Sequence, residues 1–231
     1  MKFLKQYKHM LVVPAYAVFY LLGFFWLENK VTRDYHIIHM ALDDMIPFCE
    51  YFIVPYFLWF AFIAAAVIYF GFFNKNVKEY YQLVFNLGIG MTIFLVISYL
   101  YPNGQDLRPE TFANDNIFTQ MVQYLYSIDT PTNVFPSIHV YNSVAVAIAF
   151  MTCRSMQKHP VIRYGAVALA VSIVLATMFL KQHSVSDVCC ALILNLGSYM
   201  LLYRPHRIRN FALEAKKKKR KKEKSQPDRM V

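Results

Sequence analysis

Charged residues are scarce in this chain. Asp, Glu, Lys and Arg make up only 16% of its 231 residues, where a soluble domain carries about a quarter. Four cysteines are too few to staple a chain of this length. Disorder is excluded as well, because 57% of the residues are hydrophobic and 17% aromatic. There is no internal repeat, and the one low-complexity stretch is Lys-rich. Acids are outnumbered, 14 against 24 bases, giving a net charge of +10 that superficially fits a nucleic-acid binder. Where the charge sits argues against one: Arg204 to Val231 holds 12 bases and three acids, so the remaining 203 residues are nearly neutral at +1. The composition therefore reads as a membrane protein with a basic tail and no nucleic-acid partner.

A bilayer crossing needs about 20 mainly apolar residues. Six stretches come close: Met10–Leu27, Phe52–Phe73, Leu83–Tyr101, Ser137–Cys153, Val161–Leu180 and Val185–Tyr203. The first is too long for a signal peptide and lacks a small-x-small exit, so it is expected to stay as an anchor. The expected fold is all-α, a polytopic bundle of six transmembrane helices over residues 1–203, followed by a basic, disordered tail over 204–231. Placing both termini in the cytoplasm puts 20 bases on the inner face and leaves only Lys30, Arg33, Arg108 and Lys181 outside. The plasma membrane is the expected location, with the tail touching anionic lipid.

Polar residues at membrane depth are costly and usually mark function. Three segments meet at the outer interface in this topology: YPNGQDLRP (Tyr101–Pro109), PSIH (Pro136–His139) and KQHSVSD (Lys181–Asp187). Ser137 is a natural N-cap, and the helix N-terminus it opens is a ready anion site with His139 beside it. His183 and Asp187 lie four apart, so on a helix the carboxylate would hold one imidazole nitrogen and leave the other free. Arg108 offers a planar fork for phosphate oxygens, and Lys181 a point charge. Asp43 and Asp44 read as an interfacial cap. Ile117, Met121, Leu125 and Ile128 read as the apolar stripe of an amphipathic helix in the outer interface.

In that order and topology, the motifs resemble those of the type 2 phosphatidic acid phosphatase (PAP2) superfamily of membrane lipid phosphatases and phosphotransferases. That family has a six-helix core and three motifs, K-x6-R-P, P-S-x-H and S-R-x5-H-x3-D. Arg108 and Pro109 match the end of the first motif, Pro136, Ser137 and His139 the second, and His183 and Asp187 the third. Tyr101 stands where the lysine of the first motif would be, and Ala176 and Thr177 stand where Ser-Arg would be. Two phosphate-gripping cations of the family are thus replaced, with Lys181 the candidate substitute and Tyr101 and Thr177 further candidates for the site. These departures are similar to those of the inositol-phosphorylceramide and sphingomyelin synthase branches, which transfer headgroups.

The resemblance implies catalysis by His183 as nucleophile, Asp187 as its orienting carboxylate and His139 as acid and base. Arg108, Ser137 and Lys181 would bind phosphate, with no metal and no cofactor. The implied substrate is a membrane lipid phosphate ester or diphosphate at the outer face, hydrolysed or passed to an alcohol. Two other classes stay open at this stage. His139, His183 and Asp187 also form a two-His-one-carboxylate set, and the same polar cluster would suit a transporter.

Overall fold

The computed structural model describes residues 8–30 and 34–204, so Lys2, Lys5, Arg33 and almost all of the basic tail lie outside it. Among the described residues there are eight α-helices. They are α1 (Val12–Lys30), α2 (Ala41–Met45), α3 (Ile53–Ile68), α4 (Val77–Leu100), α5 (Ile117–Ile128), α6 (Ile138–Thr152), α7 (Pro160–Phe179) and α8 (Val185–Leu202). The only strands among the described residues, β1 (His36–Ile37) and β2 (Asn103–Gly104), pair in parallel and tie the loop after α1 to the loop after α4.

With their flanking turns, α1, α3, α4, α7 and α8 are long and apolar enough to cross a membrane. The protein is thus an all-α polytopic membrane protein. The fourth expected span is different, because α6 has only 15 residues. At 1.5 Å per residue that is about 22 Å, short of a hydrocarbon core near 30 Å. Its setting explains the length: α6 packs on α3, α4, α7 and α8 at once, and most of its side chains are buried. A helix wrapped by other helices does not need to match the bilayer.

Polar residues pin this central helix. The Tyr141 hydroxyl on α6 donates to Asn86 Oδ1 on α4 at 2.8 Å and lies 2.6 Å from Ser198 Oγ on α8. Asn195 Nδ2 on α8 donates to the Tyr141 carbonyl at 2.9 Å. The Tyr141 ring lies against Gly90 of α4, where a Cβ would come within 2.1 Å of it. Close approach of α4 and α6 therefore requires glycine there.

The segments 101–109, 136–139 and 181–187 gather at one end of the bundle, as the contacts of Asn103 with Val134, Arg108 with Gln182 and Ser137 with Asp187 show. At the other end, Glu79, Cys153 and Arg154 meet. The basic connections around Lys75 and Lys78 and from Arg154 to Arg163 share that second end, which is the segregation the charge count anticipates.

Candidate active site

Each catalytic candidate is fixed by a helix end. Ser137 is fully buried and N-caps α6, its Oγ accepting from Val140 N at 3.3 Å. Its own N–H donates to the Asp187 carbonyl at 3.4 Å, joining the starts of α6 and α8. His139 follows in the first turn of α6, with its ring 4.8 Å from that of Tyr56 and 4.5 Å from that of Trp59, both on α3.

The turn from α7 to α8 is built around Lys181, whose φ of 52° is rare for a side chain with a Cβ. That conformation folds the chain back so that Gln182 N–H and His183 N–H both donate to the Thr177 carbonyl, at 2.9 and 3.1 Å. Ser184 then caps α8, and Asp187 Oδ2 accepts from Ser184 N at 3.0 Å, completing a capping box. The same carboxylate oxygen lies 3.3 Å from His183 Nδ1.

The cap has an outer support that sequence reading placed only at the interface. Asp43 is buried, and its carboxylate accepts from Ser184 Oγ at 2.6 Å, Val185 N at 2.8 Å and Met40 N at 2.8 Å. Lys181 Nζ donates to the Asp43 carbonyl at 2.6 Å. The α2 segment is therefore strapped to the turn between α7 and α8 by both residues.

The two histidines meet across the bundle axis. His183 Nε2 lies 3.4 Å from His139 Nδ1, forming a continuous line Asp187–His183–His139. A carboxylate at Nδ1 leaves His183 Nε2 as the ring nitrogen that faces His139. His183 is 7% exposed and Asp187 fully buried, so little water competes for these contacts.

Arg108 reaches the cluster through Gln182. Its Nη2 donates to Gln182 Oε1 at 2.6 Å, and its Nη1 donates to the carbonyls of Asp129 at 2.8 Å and Tyr126 at 3.3 Å. Those carbonyls close the C-terminus of α5, where a cation meets the negative end of the helix. The guanidinium also lies 4.6 Å over the Tyr126 ring and 3.7 Å from the Asp129 carboxylate. Burial pushes Arg108 below its ordinary pKa, against the pull of Asp129. Burial likewise raises Asp129, against the pull of Arg108.

Three buried donors around the histidines have no hydrogen-bond partner: Arg108 Nε, Gln182 Nε2 and Trp59 Nε1. Unspent buried N–H groups are uncommon because each forfeits its hydration. Clustered beside a histidine pair, they suit the oxygens of an anion. Sequence reading missed both Gln182 and Trp59, since a neutral amide between Lys181 and His183 and an indole inside an apolar stretch carry no charge signal.

A family model described as the PAP2 superfamily matches residues 79–210, more than half of the chain. The chain belongs to the PAP2 superfamily. No curated protein and no solved structure matches it.

Of the site residues expected from sequence, His139, His183, Asp187, Ser137 and Arg108 form one connected PAP2 cluster. Lys181 is adjacent, but its ammonium is seated on Asp43. Thr177 is buried and its hydroxyl donates to Val174 O at 2.7 Å, within its own helix, so it serves the turn through its carbonyl. Tyr101 stacks on His36 at 4.4 Å and 2°, bracing the loop after α1 instead of joining the histidines. Among the described residues no three His, Cys, Asp or Glu side chains converge in a way that suits a metal ion. The expected stripe on α5 divides: Met121 and Leu125 pack against Ile53 and Tyr56, whereas Ile117 and Ile128 are exposed.

Proposed function

We propose that this PAP2 member is a membrane lipid phosphate phosphatase acting through a phosphohistidine on a phospholipid-type ester or diphosphate at the outer face. The observation that carries the reading is the Asp187–His183–His139 line, with its three unspent donors alongside. In the first step, the Nε2 lone pair of His183 attacks phosphorus and the P–O bond to the lipid breaks. His139, as imidazolium, gives its proton to the departing oxygen. In the second step, His139 takes a proton from water, the water oxygen attacks phosphorus, and the P–N bond breaks. Asp187 holds the Nδ1 proton throughout and stabilises the charged imidazole. Arg108 Nε, Gln182 Nε2 and the amides near Ser137 meet the phosphoryl oxygens. Lys181 contributes field from its seat on Asp43. The two rings part to admit phosphorus, since 3.4 Å between nitrogens leaves it no room.

One observation favours a second reading, transfer of a lipid headgroup to an alcohol. Arg108 is offset by Asp129, and the other unspent donors, on Gln182 and Trp59, are neutral. Such a cradle suits a singly charged phosphodiester better than a doubly charged monoester. The acceptor in the second step would then be a lipid hydroxyl, with the same proton movements.

Incubating purified protein with a labelled panel of lipid phosphomonoesters, diphosphates and phosphodiesters, with and without alcohol acceptors, tests both readings. Released phosphate is the expected result for hydrolysis, and a new labelled lipid for transfer. Phosphate flux through vesicles without either product would return the site to a transporter. Activity is expected to survive a chelator, and its loss would reinstate a metal.

A further inference from the structure

Away from the histidine line, α7 and α8 both pack on α6 but barely touch one another. A groove of about 1110 Å³ opens between them. Its floor and walls are apolar, formed by Ala147 and Ile148 of α6, Val171 and Leu175 of α7 and Leu192 of α8. Its rim, by contrast, is basic: Lys78, Arg154 and Arg163 line it, with Tyr199 and Tyr203 of the α8 end. Tyrosines at such a level are typical of the membrane–water interface.

Among the described residues, the one acid lining this rim is already engaged. The Glu79 carboxylate accepts from Asn74 Nδ2 at 2.8 Å, Cys153 Sγ at 3.3 Å and Arg154 N at 3.3 Å. Among the described residues neither the Arg154 nor the Arg163 guanidinium forms an ion pair with a carboxylate. Arg163 spends Nη2 on the Met151 carbonyl at 3.2 Å, while its Nε is buried without a partner. A buried guanidinium edge with an unspent donor thus stands over an apolar slot.

We propose that this groove binds an anionic phospholipid of the leaflet opposite the catalytic face. Its phosphate lies on Arg163 and Arg154, and its acyl chains lie between α7 and α8. Charge complementarity selects this occupant: a neutral lipid would fill the walls and leave the guanidinium groups unmet. A soluble anion would meet the rim and leave the apolar slot uncovered. Basic pockets between transmembrane helices recognise anionic headgroups by this combination. The headgroup rim is separate from the PAP2 cluster, since Arg154 and Arg163 lie by the far ends of α6 and α7, while the apolar slot runs along the helices as far as Leu175.

The test is native mass spectrometry of the full chain, released from nanodiscs containing equal phosphatidylglycerol and phosphatidylcholine of matched acyl composition. The wild type is expected to keep one phosphatidylglycerol in preference to phosphatidylcholine. Replacing both arginines (R154Q with R163Q) is expected to lower that retention about tenfold. Val171→Trp, at a position 53% exposed, fills the slot and should lower retention with the arginines intact. Excess vanadate, which would occupy the catalytic site, should leave retention unchanged. Equal retention of the two lipids, indifference to the arginine changes, or displacement by vanadate would each overturn the proposal. Displacement by inorganic phosphate alone would overturn it as well, reducing the rim to a simple anion site.

Discussion

The Gln182 amide is half used: Oε1 accepts from Arg108, and Nε2 is buried without a partner. In the proposed mechanism the free half meets a phosphoryl oxygen in the transition state. Removing one such donor costs roughly 10²–10³-fold in turnover at comparable sites. Gln182→Ala is therefore expected to lower kcat/KM by about 10²-fold. Steady-state kinetics in detergent micelles would check it, and unchanged kinetics would leave Gln182 a mere prop for Arg108. Sequence made His139, His183, Asp187 and Arg108 visible because ionisable groups at membrane depth stand out and their spacing repeats a family motif. Gln182 escaped notice beside Lys181, whose charge drew attention but whose ammonium spends itself on Asp43. Trp59 escaped for a simpler reason, being one aromatic among many in an apolar helix.

At the scale of elements, the N-terminus of α8 is built by two chain segments far apart in sequence. Ser184 and Asp187 cap it from within, and Asp43 of α2 caps it from outside. Losing an N-cap contact costs about 0.5–2 kcal/mol. Here the loss would also release Asp187, and with it the tautomer of His183. Asp43→Ala should therefore lower kcat about tenfold or more with little change in KM, because the residue acts through His183 and not on the lipid. Asp43→Asn, which keeps the acceptor for Ser184 and Val185, should recover part of that loss. An equal effect on KM, or failure of the asparagine to rescue, would contradict a positioning role. Sequence could place Asp43 at the interface but not on α8, since nothing local announces a contact 141 residues away. The short α6 has a similar cause. Its composition reads as a span, and only its enclosure by four helices explains why 15 residues suffice.

For the whole molecule, the gathering of the three polar motifs at one end, and of the described loop bases Lys75, Lys78 and Arg154 to Arg163 at the other, was legible from charge and hydropathy. The order of helices around α6 was not, because it depends on close approaches such as Tyr141 on Gly90. Adding a methyl group there forces the ring 2.1 Å from a new Cβ to move. Overpacking of this kind typically costs about 1–3 kcal/mol. Gly90→Ala should accordingly lower the thermal midpoint of the purified protein, and an unchanged midpoint would mean that α4 and α6 are not in contact there. The central claim is that His183 becomes covalently phosphorylated by a lipid donor. Rapid acid-free quenching of the full chain with phosphate-labelled substrate, followed by peptide mapping, tests it most directly. The account predicts an acid-labile, base-stable label on His183 that is absent in His183→Ala. Label on another residue, or full turnover by His183→Ala, would contradict it.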